Sequence, residues 1–350
     1  MKWSDTRLVD LFGIELPIIA APMANFAGVE MAIAVAEAGG LGSLPCATLS
    51  PDKICDGVAA FRSHGDKPLN LNFFCHTLPG DDLAKDRAWL DRIAPYFAEL
   101  QVEPPTLPLS AGHAPFGEEE YAAIEELRPE IVSFHFGLPE ASLLKRVRAT
   151  GCKIVSSATT LREARYLAEH GVDVIIAQGA EAGGHRGMFL ETDVATQVGT
   201  FALVRAVSAA VKIPVIAAGG IADGEAIAAA LALGASAVQI GTAYLTCPES
   251  TISDLHRNAL ADPNRETAIT NVMTGRPARG IVNRFMREQG PMDPAAPNFQ
   301  RASPAIAPLR TAAEAKGSAD FSPLWSGQAA NLPRTMGAGA LTRWFVKELI

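Results

Sequence analysis

Short apolar runs alternate along the chain with longer stretches in which apolar positions recur every three to four residues. Residues 16–23 (LPIIAAPM), 41–44 (LGSL), 69–74 (LNLNFF), 131–137 (IVSFHFG), 153–158 (KIVSSA), 172–179 (VDVIIAQG), 213–220 (IPVIAAGG) and 236–242 (SAVQIGT) are the short runs. They are apolar along nearly their whole length, which predicts strands buried on both faces rather than one-sided, half-exposed ones. Helical periodicity fills residues 28–39, 52–64, 117–127, 140–151, 160–171, 195–210 and 223–234. Gly39 and Gly151 end two of these helices, and Thr160 and Asp223 suit N-caps. Eight strands alternating with helices predict an α/β fold of the TIM (β/α)8 barrel type. A doubly wound sheet competes, but the strand count is eight and no G-x-G-x-x-G follows any strand. The barrel is assigned to residues 10–261. Residues 77–116, Pro-rich around one helix near 82–99, form an insertion. After about residue 262 Pro, Arg and Gly rise, as in TGRPARGIVNRF, so residues 262–350 are read as a C-terminal helical and loop extension packing over the barrel.

Composition narrows the picture. The net charge is −8 with acids and bases interspersed, so no nucleic-acid partner is expected. The longest uncharged stretch, residues 226–245, reads as a buried helix followed by a strand and not as a membrane span. Cys46, Cys55, Cys75, Cys152 and Cys247 are scattered and contain no C-x-x-C, which suits reduced thiols. The opening MKWSDTRLVDLFGIELP lacks an apolar core of signal-peptide length, and a cytoplasmic location is expected.

Barrels of this type keep their chemistry at the carboxyl ends of the strands. In order, those ends carry Met23, Asn72, His135, Ser156-Ser157, Gln178, Gly219-Gly220 and the Gln239-Ile240-Gly241-Thr242 turn. They are amides, hydroxyls and glycines. No lysine lies there for a Schiff base, and no Asp, Glu or His cluster has metal-ligand spacing. A Gly-Gly after one strand is by itself a tight turn; two such ends side by side point to a phosphate held by backbone N–H groups. A phosphate bound without metal, beside amides that both donate and accept, suits flavin mononucleotide (FMN), with Asn72 and Gln178 at the ring edge. His135 reads as a hydrogen-bonded core histidine and Cys75-His76 as structural. His185 differs. It stands in QGAEAGGHRG, among Gly183, Gly184 and Gly187, where flexible backbone offers no local packing to explain it, so it is the candidate catalytic residue.

The segments PIIAAPM, LNLNFFCH, VSFHFG, AQGAEAGGHRG, AAGGIADGEAIAAALALGASAVQIGTAYL and LWSGQAA resemble the nitronate monooxygenase family, class I in particular. The similarity runs from about residue 10 to the C-terminus. It implies a TIM barrel binding FMN non-covalently, with Asn72, Gln178, Gly183, Gly220 and the Gln239-Ile240-Gly241-Thr242 turn on the cofactor, Met23 near the ring and Gln328 approaching the site. It implies oxidation of alkyl nitronates, notably propionate 3-nitronate, by O₂ without nicotinamide, giving a carbonyl compound and nitrite or nitrate. With a neutral nitroalkane, His185 would remove the proton α to the nitro group, a role suited to an imidazole that titrates near neutrality. Arg186 and the tail arginines are candidates for a substrate carboxylate. ANFAGVE after APM departs from the family's small and hydroxyl residues and puts Phe26 at the pocket. Two other readings share the barrel and the GGH loop: an NAD(P)H-dependent flavin reductase, acting on enoyl-ACP or quinones, and a flavin-binding protein without turnover.

Overall fold

The structure, a computed structural model, describes Trp3, residues 5–329 and residues 336–347. Ala330, the last residue of the LWSGQAA segment, lies outside the described residues, as do parts of the assigned extension (330–335 and 348–350).

Eight strands form one parallel sheet: β1 (Ile18–Ala20), β2 (Gly42–Pro45), β3 (Leu69–Phe74), β4 (Ile131–His135), β5 (Lys153–Ala158), β6 (Val174–Gln178), β8 (Val215–Ala218) and β9 (Ala237–Ile240). The sheet order is β1-β9-β8-β6-β5-β4-β3-β2, and a parallel bridge from Ile19 to Leu41 joins its two ends. The ring is therefore closed, as the eight apolar runs predict. Successive side chains alternate between two cores. Ile19, Val155, Ile176 and Ile216 fill the barrel interior, where Leu8 and Phe12 of the helix Arg7–Phe12 join them as a plug. Ile18, Ile154, Ile175 and Val238 face the surrounding helices. Burial on both faces explains why these strands read as continuous apolar runs rather than alternating ones.

Three further strands form a small antiparallel sheet of order β10-β11-β7, from β7 (Gly184–His185), β10 (Thr267–Thr270) and β11 (Ala278–Ile281). Sequence periodicity misses β7, because two residues between glycines carry no pattern. Its partner strand begins 93 residues later, where Ala278 pairs with His185.

The predicted helix over 195–210 begins only at Thr200, after a 3₁₀ turn at Val194–Thr196. Glu181, from the glycine-rich segment, sets that start: its carboxylate accepts from Thr200 N at 2.8 Å and from Thr200 Oγ1 at 2.7 Å. Thr160 and Asp223 do cap their helices, accepting from Glu163 N at 3.2 Å and Ala226 N at 2.8 Å.

The helix Leu83–Leu100 of the inserted stretch and the C-terminal part of the chain share one apolar cluster, with Trp89, Ile93 and Phe97 against Phe285, Leu309 and Phe321. The helix Ala338–Lys347 returns to the barrel wall. Its Leu341 and Phe345 join the main core, and Thr342 Oγ1 lies 2.7 Å from the Tyr244 hydroxyl. No helix among the described residues is long and apolar enough to cross a membrane.

Candidate active site

A cavity of about 920 Å³ opens at the carboxyl ends of the barrel strands. Of the eleven site residues expected from sequence, ten line it: Met23, Asn72, Gln178, Gly183, His185, Gly219, Gly220, Gln239, Gly241 and Thr242. Ile240 does not. It alternates outward along β9 and is buried in the core beneath the helices.

The glycines do separate jobs. Gly219 has φ of +114°, and a Cβ there would lie 2.9 Å from Ala182 N and Thr200 Oγ1, so the turn after β8 needs glycine at that position; Gly220, at +71°, follows in the left-handed region that favours glycine. Gly183 is needed for close approach. A Cβ there would lie 2.5 Å from Gly327 N and 2.6 Å from the Ser326 carbonyl carbon. The glycine-rich segment thus packs backbone to backbone on residues 326–327, and Gln328 N donates to Glu181 O at 2.9 Å. Gln328 itself is exposed, while Gly327 and Ala329 line the cavity.

The amides fall into two kinds. Gln178 is occupied in shaping the segment that follows β6. Its Nε2 donates to His185 O at 3.0 Å and its Oε1 accepts from Gly187 N at 2.7 Å. Asn72 donates to Ser133 Oγ at 2.9 Å, and its Oδ1 has no hydrogen-bond partner among the described residues. Gln239 Oε1 is buried with none either. A buried amide oxygen is normally satisfied, so Gln239 Oε1 suits a ligand that donates, and Asn72 Oδ1 is a second acceptor on a residue that lines the cavity.

His185 also lines the cavity, and it is not on a loose loop. Gly184 and His185 form β7, hydrogen-bonded to β11, and Arg186 N donates to Pro277 O at 2.8 Å. The His185 carbonyl also accepts from His135 Nε2 at 3.2 Å. A carbonyl can only accept, so His135 Nε2 carries the hydrogen and its Nδ1 accepts from Ser157 Oγ at 2.9 Å. Both nitrogens of His135 are spent on structure, consistent with its reading as a core histidine. The His185 ring sits among Phe74, Phe136, Phe299 and Trp325, at centroid distances of 6.4, 6.0, 5.4 and 5.5 Å. Its Nε2 lies 2.9 Å from Thr274 Oγ1. Burial pushes the imidazole down to about 3, with the positive charge of Arg276 acting in the same direction. The ring is neutral far below the neutral range expected for a free histidine.

Arg276 packs its guanidinium over Phe136 at 4.0 Å and donates to Met188 O. It is a largely enclosed cation with no ion-pair partner among the described residues, which favours negative charge nearby. Arg186, a sequence candidate for a substrate carboxylate, is fully buried away from the cavity. It donates to Gln178 O at 2.8 Å and to Gln197 Oε1 at 2.9 Å, holding the segment's base. Phe26 lines the cavity and stands edge-on to His256 at 5.4 Å. His76 accepts from Gln300 Nε2 at 3.0 Å, and Gln300 Oε1 accepts from His113 N of the insertion.

Residues 274, 299, 300 and 325 were not named as site residues from the sequence. Residue 325 stood in the quoted LWSGQAA segment; for the other three the only signal was the Pro, Arg and Gly enrichment after residue 262.

The fold is a TIM-type barrel with its cavity where such barrels keep their chemistry. The family model for nitronate monooxygenase matches residues 5–348. A nitronate monooxygenase of Pseudomonas aeruginosa is 43% identical over 347 residues, covering 98% of this chain and 99% of its own. One from Paraburkholderia phytofirmans is 42% identical, covering 98% and 94%. The crystal structure of a nitroalkane oxidase from Streptomyces ansochromogenes superposes with a TM-score of 0.86 at 36% identity, covering 98% of this chain and 97% of that one. The chain belongs to the nitronate monooxygenase family and has that family's activity.

Proposed function

We propose that the cavity binds FMN and that His185 is the base facing its substrate. The residues fit such a cofactor: a left-handed glycine turn at Gly219-Gly220, and two amide acceptors, Asn72 Oδ1 and the unpartnered Gln239 Oε1, for a ring N–H. Gly241 and Thr242 would complete the cradle, with Met23 beside it. Gln178 would act mainly by shaping the loop. When bound, the flavin supplies the electron transfer between substrate and O₂. The chain's residues do the rest. The aromatic wall of Phe74, Phe136, Phe299 and Trp325 excludes water, and Arg276 biases the space toward anions. An alkyl nitronate, such as propionate 3-nitronate, arrives as an anion and needs no base. A neutral nitroalkane loses its α proton to the His185 imidazole, which leaves an imidazolium beside a nitronate, each stabilising the other in a dry site.

The observation that carries this reading is the cavity at the carboxyl ends of the strands, where the Gly219-Gly220 turn and the Asn72 and Gln239 amides meet the half-buried His185 imidazole. We also propose that residues 10–261, with 77–116 inserted, form the barrel and that 262–350 is a C-terminal extension packing over it.

The test is anaerobic mixing of the purified holoprotein. Propionate 3-nitronate is expected to bleach the flavin spectrum and NADH is not. Rapid bleaching by NADH would favour the reductase reading, and release of FAD instead of FMN on denaturation would overturn the cofactor assignment.

A further inference from the structure

We propose that Thr274 is a positioning residue that fixes the His185 tautomer, so that Nδ1 is the atom that takes the substrate proton. The inference rests on His185 being the base, and it goes beyond that reading by assigning the atom and the residue that selects it.

Thr274 Oγ1 touches two groups. It lies 2.9 Å from His185 Nε2 and 3.2 Å from the carbonyl oxygen of Arg276. A hydroxyl has one hydrogen, and a carbonyl oxygen has none. If the hydroxyl donated to His185 Nε2, its lone pairs would face the Arg276 carbonyl with no hydrogen between them. Both contacts are hydrogen bonds in only one arrangement: Thr274 Oγ1–H donates to Arg276 O, and His185 Nε2–H donates to Thr274 Oγ1. The proton of the neutral ring is then on Nε2 and the lone pair is on Nδ1. Nδ1 has no hydrogen-bond partner among the described residues, and the ring borders the cavity.

The surrounding backbone holds this arrangement in place. Thr274 lies in the turn between β10 and β11, closed by Gly275 N donating to Asn271 O at 2.7 Å, and its own carbonyl accepts from Gln300 N at 2.8 Å. The same β11 pairs with β7, so one hairpin fixes both the His185 backbone and the hydroxyl that orients its ring. Gln178 Nε2 and His135 Nε2 both donate to the His185 carbonyl, and β11 pairs with its backbone, so the segment that carries the ring is fixed and the Nε2 contact with Thr274 sets which edge of the ring faces the hydroxyl. In the proton step the substrate C–H bond breaks, its electron pair stays on the nitronate, and the proton goes to Nδ1. The resulting imidazolium keeps its Nε2–H bond to Thr274, so the hydroxyl network need not rearrange. The opposite tautomer would point its lone pair at Thr274 and present an N–H to the substrate.

The experiment uses FMN-loaded protein labelled with ¹⁵N-histidine, with the His185 resonances assigned by their loss in His185→Asn. Long-range ¹H–¹⁵N correlation is expected to show a pyrrole-type Nε2 and a pyridine-type Nδ1. Thr274→Val removes the hydroxyl at nearly constant shape. It is expected to mix the tautomers and to lower kcat on a neutral nitroalkane by about tenfold to a hundredfold, while nitronate turnover and flavin content hold. Thr274→Ser is expected to restore both the spectrum and the rate. A wild-type spectrum with the hydrogen on Nδ1, or a Thr274→Val protein with unchanged tautomer and nitroalkane rate, overturns the proposal. If Thr274→Val does not fold, the wild-type and Thr274→Ser spectra still decide it. An intact nitroalkane rate in His185→Asn would instead remove His185 as the base, and the tautomer spectrum would report on Thr274 independently.

Discussion

The cavity has two walls of different construction. One is laid down by strand ends: Asn72 from β3, Gln178 from β6, Gly219-Gly220 after β8 and Gln239, Gly241 and Thr242 from β9. It is polar, uncharged and poor in bulky side chains. The other is assembled around β7, with Thr274, Phe299 and Trp325 from the chain beyond residue 262 and Phe74 and Phe136 from the ends of β3 and β4 surrounding His185. It is aromatic and enclosed. The first wall suits a phosphate and a heteroaromatic edge; the second suits a proton transfer away from water. One barrel can therefore keep its cofactor cradle while residues remote in sequence set what happens above it.

Damage to the strand-end wall should have the largest effect. Gly220→Asp places a side chain where φ is +71° and a carboxylate where the phosphate would lie. We expect purified Gly220→Asp to carry no flavin by absorbance, and so to lack turnover on every substrate. Full flavin content in this variant would move the phosphate elsewhere in the cavity.

Damage to the other wall should separate substrates instead. In His185→Asn, flavin content should stay normal and propionate 3-nitronate oxidation should fall only modestly. Neutral nitroalkane turnover should fall by about 10²–10⁴-fold. Equal losses on both substrates would make His185 a substrate-positioning group. The same wall also changes the expected pH profile. From sequence, His185 is expected to titrate near neutrality; burial lowers it to about 3. Nitroalkane kcat/KM should therefore show no imidazole limb between about pH 5 and 8, a range that an ordinary histidine would cross.

The two walls were unequally legible in the sequence. The strands are coded by local apolar runs, and their ends follow by counting: of the nine expected strand-end site residues, all but Ile240 line the cavity. Ile240 does not line the cavity, because alternation along β9 sends its side chain to the core. Gln178 reached the site, but its amide is spent on His185 O and Gly187 N, which no local pattern discloses. The second wall depends on pairing across long separations, such as His185 with Ala278, and two-residue strands carry no period. The same gap made the glycine-rich segment read as flexible, when Glu181, Gln178, Arg186 and β11 all hold it down.

The seam between the walls gives a smaller and separate test. Gly183→Ala puts a methyl 2.5 Å from Gly327 N, where both neighbours are backbone and cannot step aside cheaply. Overpacking of this kind destabilises by about 1–3 kcal/mol. We expect the urea midpoint to fall with the slope unchanged, and the loss of nitroalkane turnover to exceed the loss of flavin. An unaltered midpoint would mean that the seam opens without strain.

The smallest effect expected near neutrality concerns stability in acid. His135 and His185 are both held neutral, each pushed down to about 3, with burial as the main cause. In the unfolded chain a histidine titrates near 6.5. Above that value neither state binds the proton, and the two imidazoles contribute no pH dependence. As pH falls below it, the unfolded state takes up protons that the folded state refuses, so stability drops until the folded values are reached. Each ring contributes a slope of at most about 1.4 kcal/mol per pH unit in that window, less where cavity water screens it. Between pH 7 and 6 the loss should be a fraction of that and hard to resolve; by about pH 5 it should be plain in a denaturant series. His185→Asn removes one of the two imidazoles from the second wall and should flatten the slope below pH 6.5 by about half of their combined share. An unchanged acid slope in that variant would mean that the folded His185 titrates close to its unfolded value, and the enclosed, neutral character assigned to that wall would be lost with it.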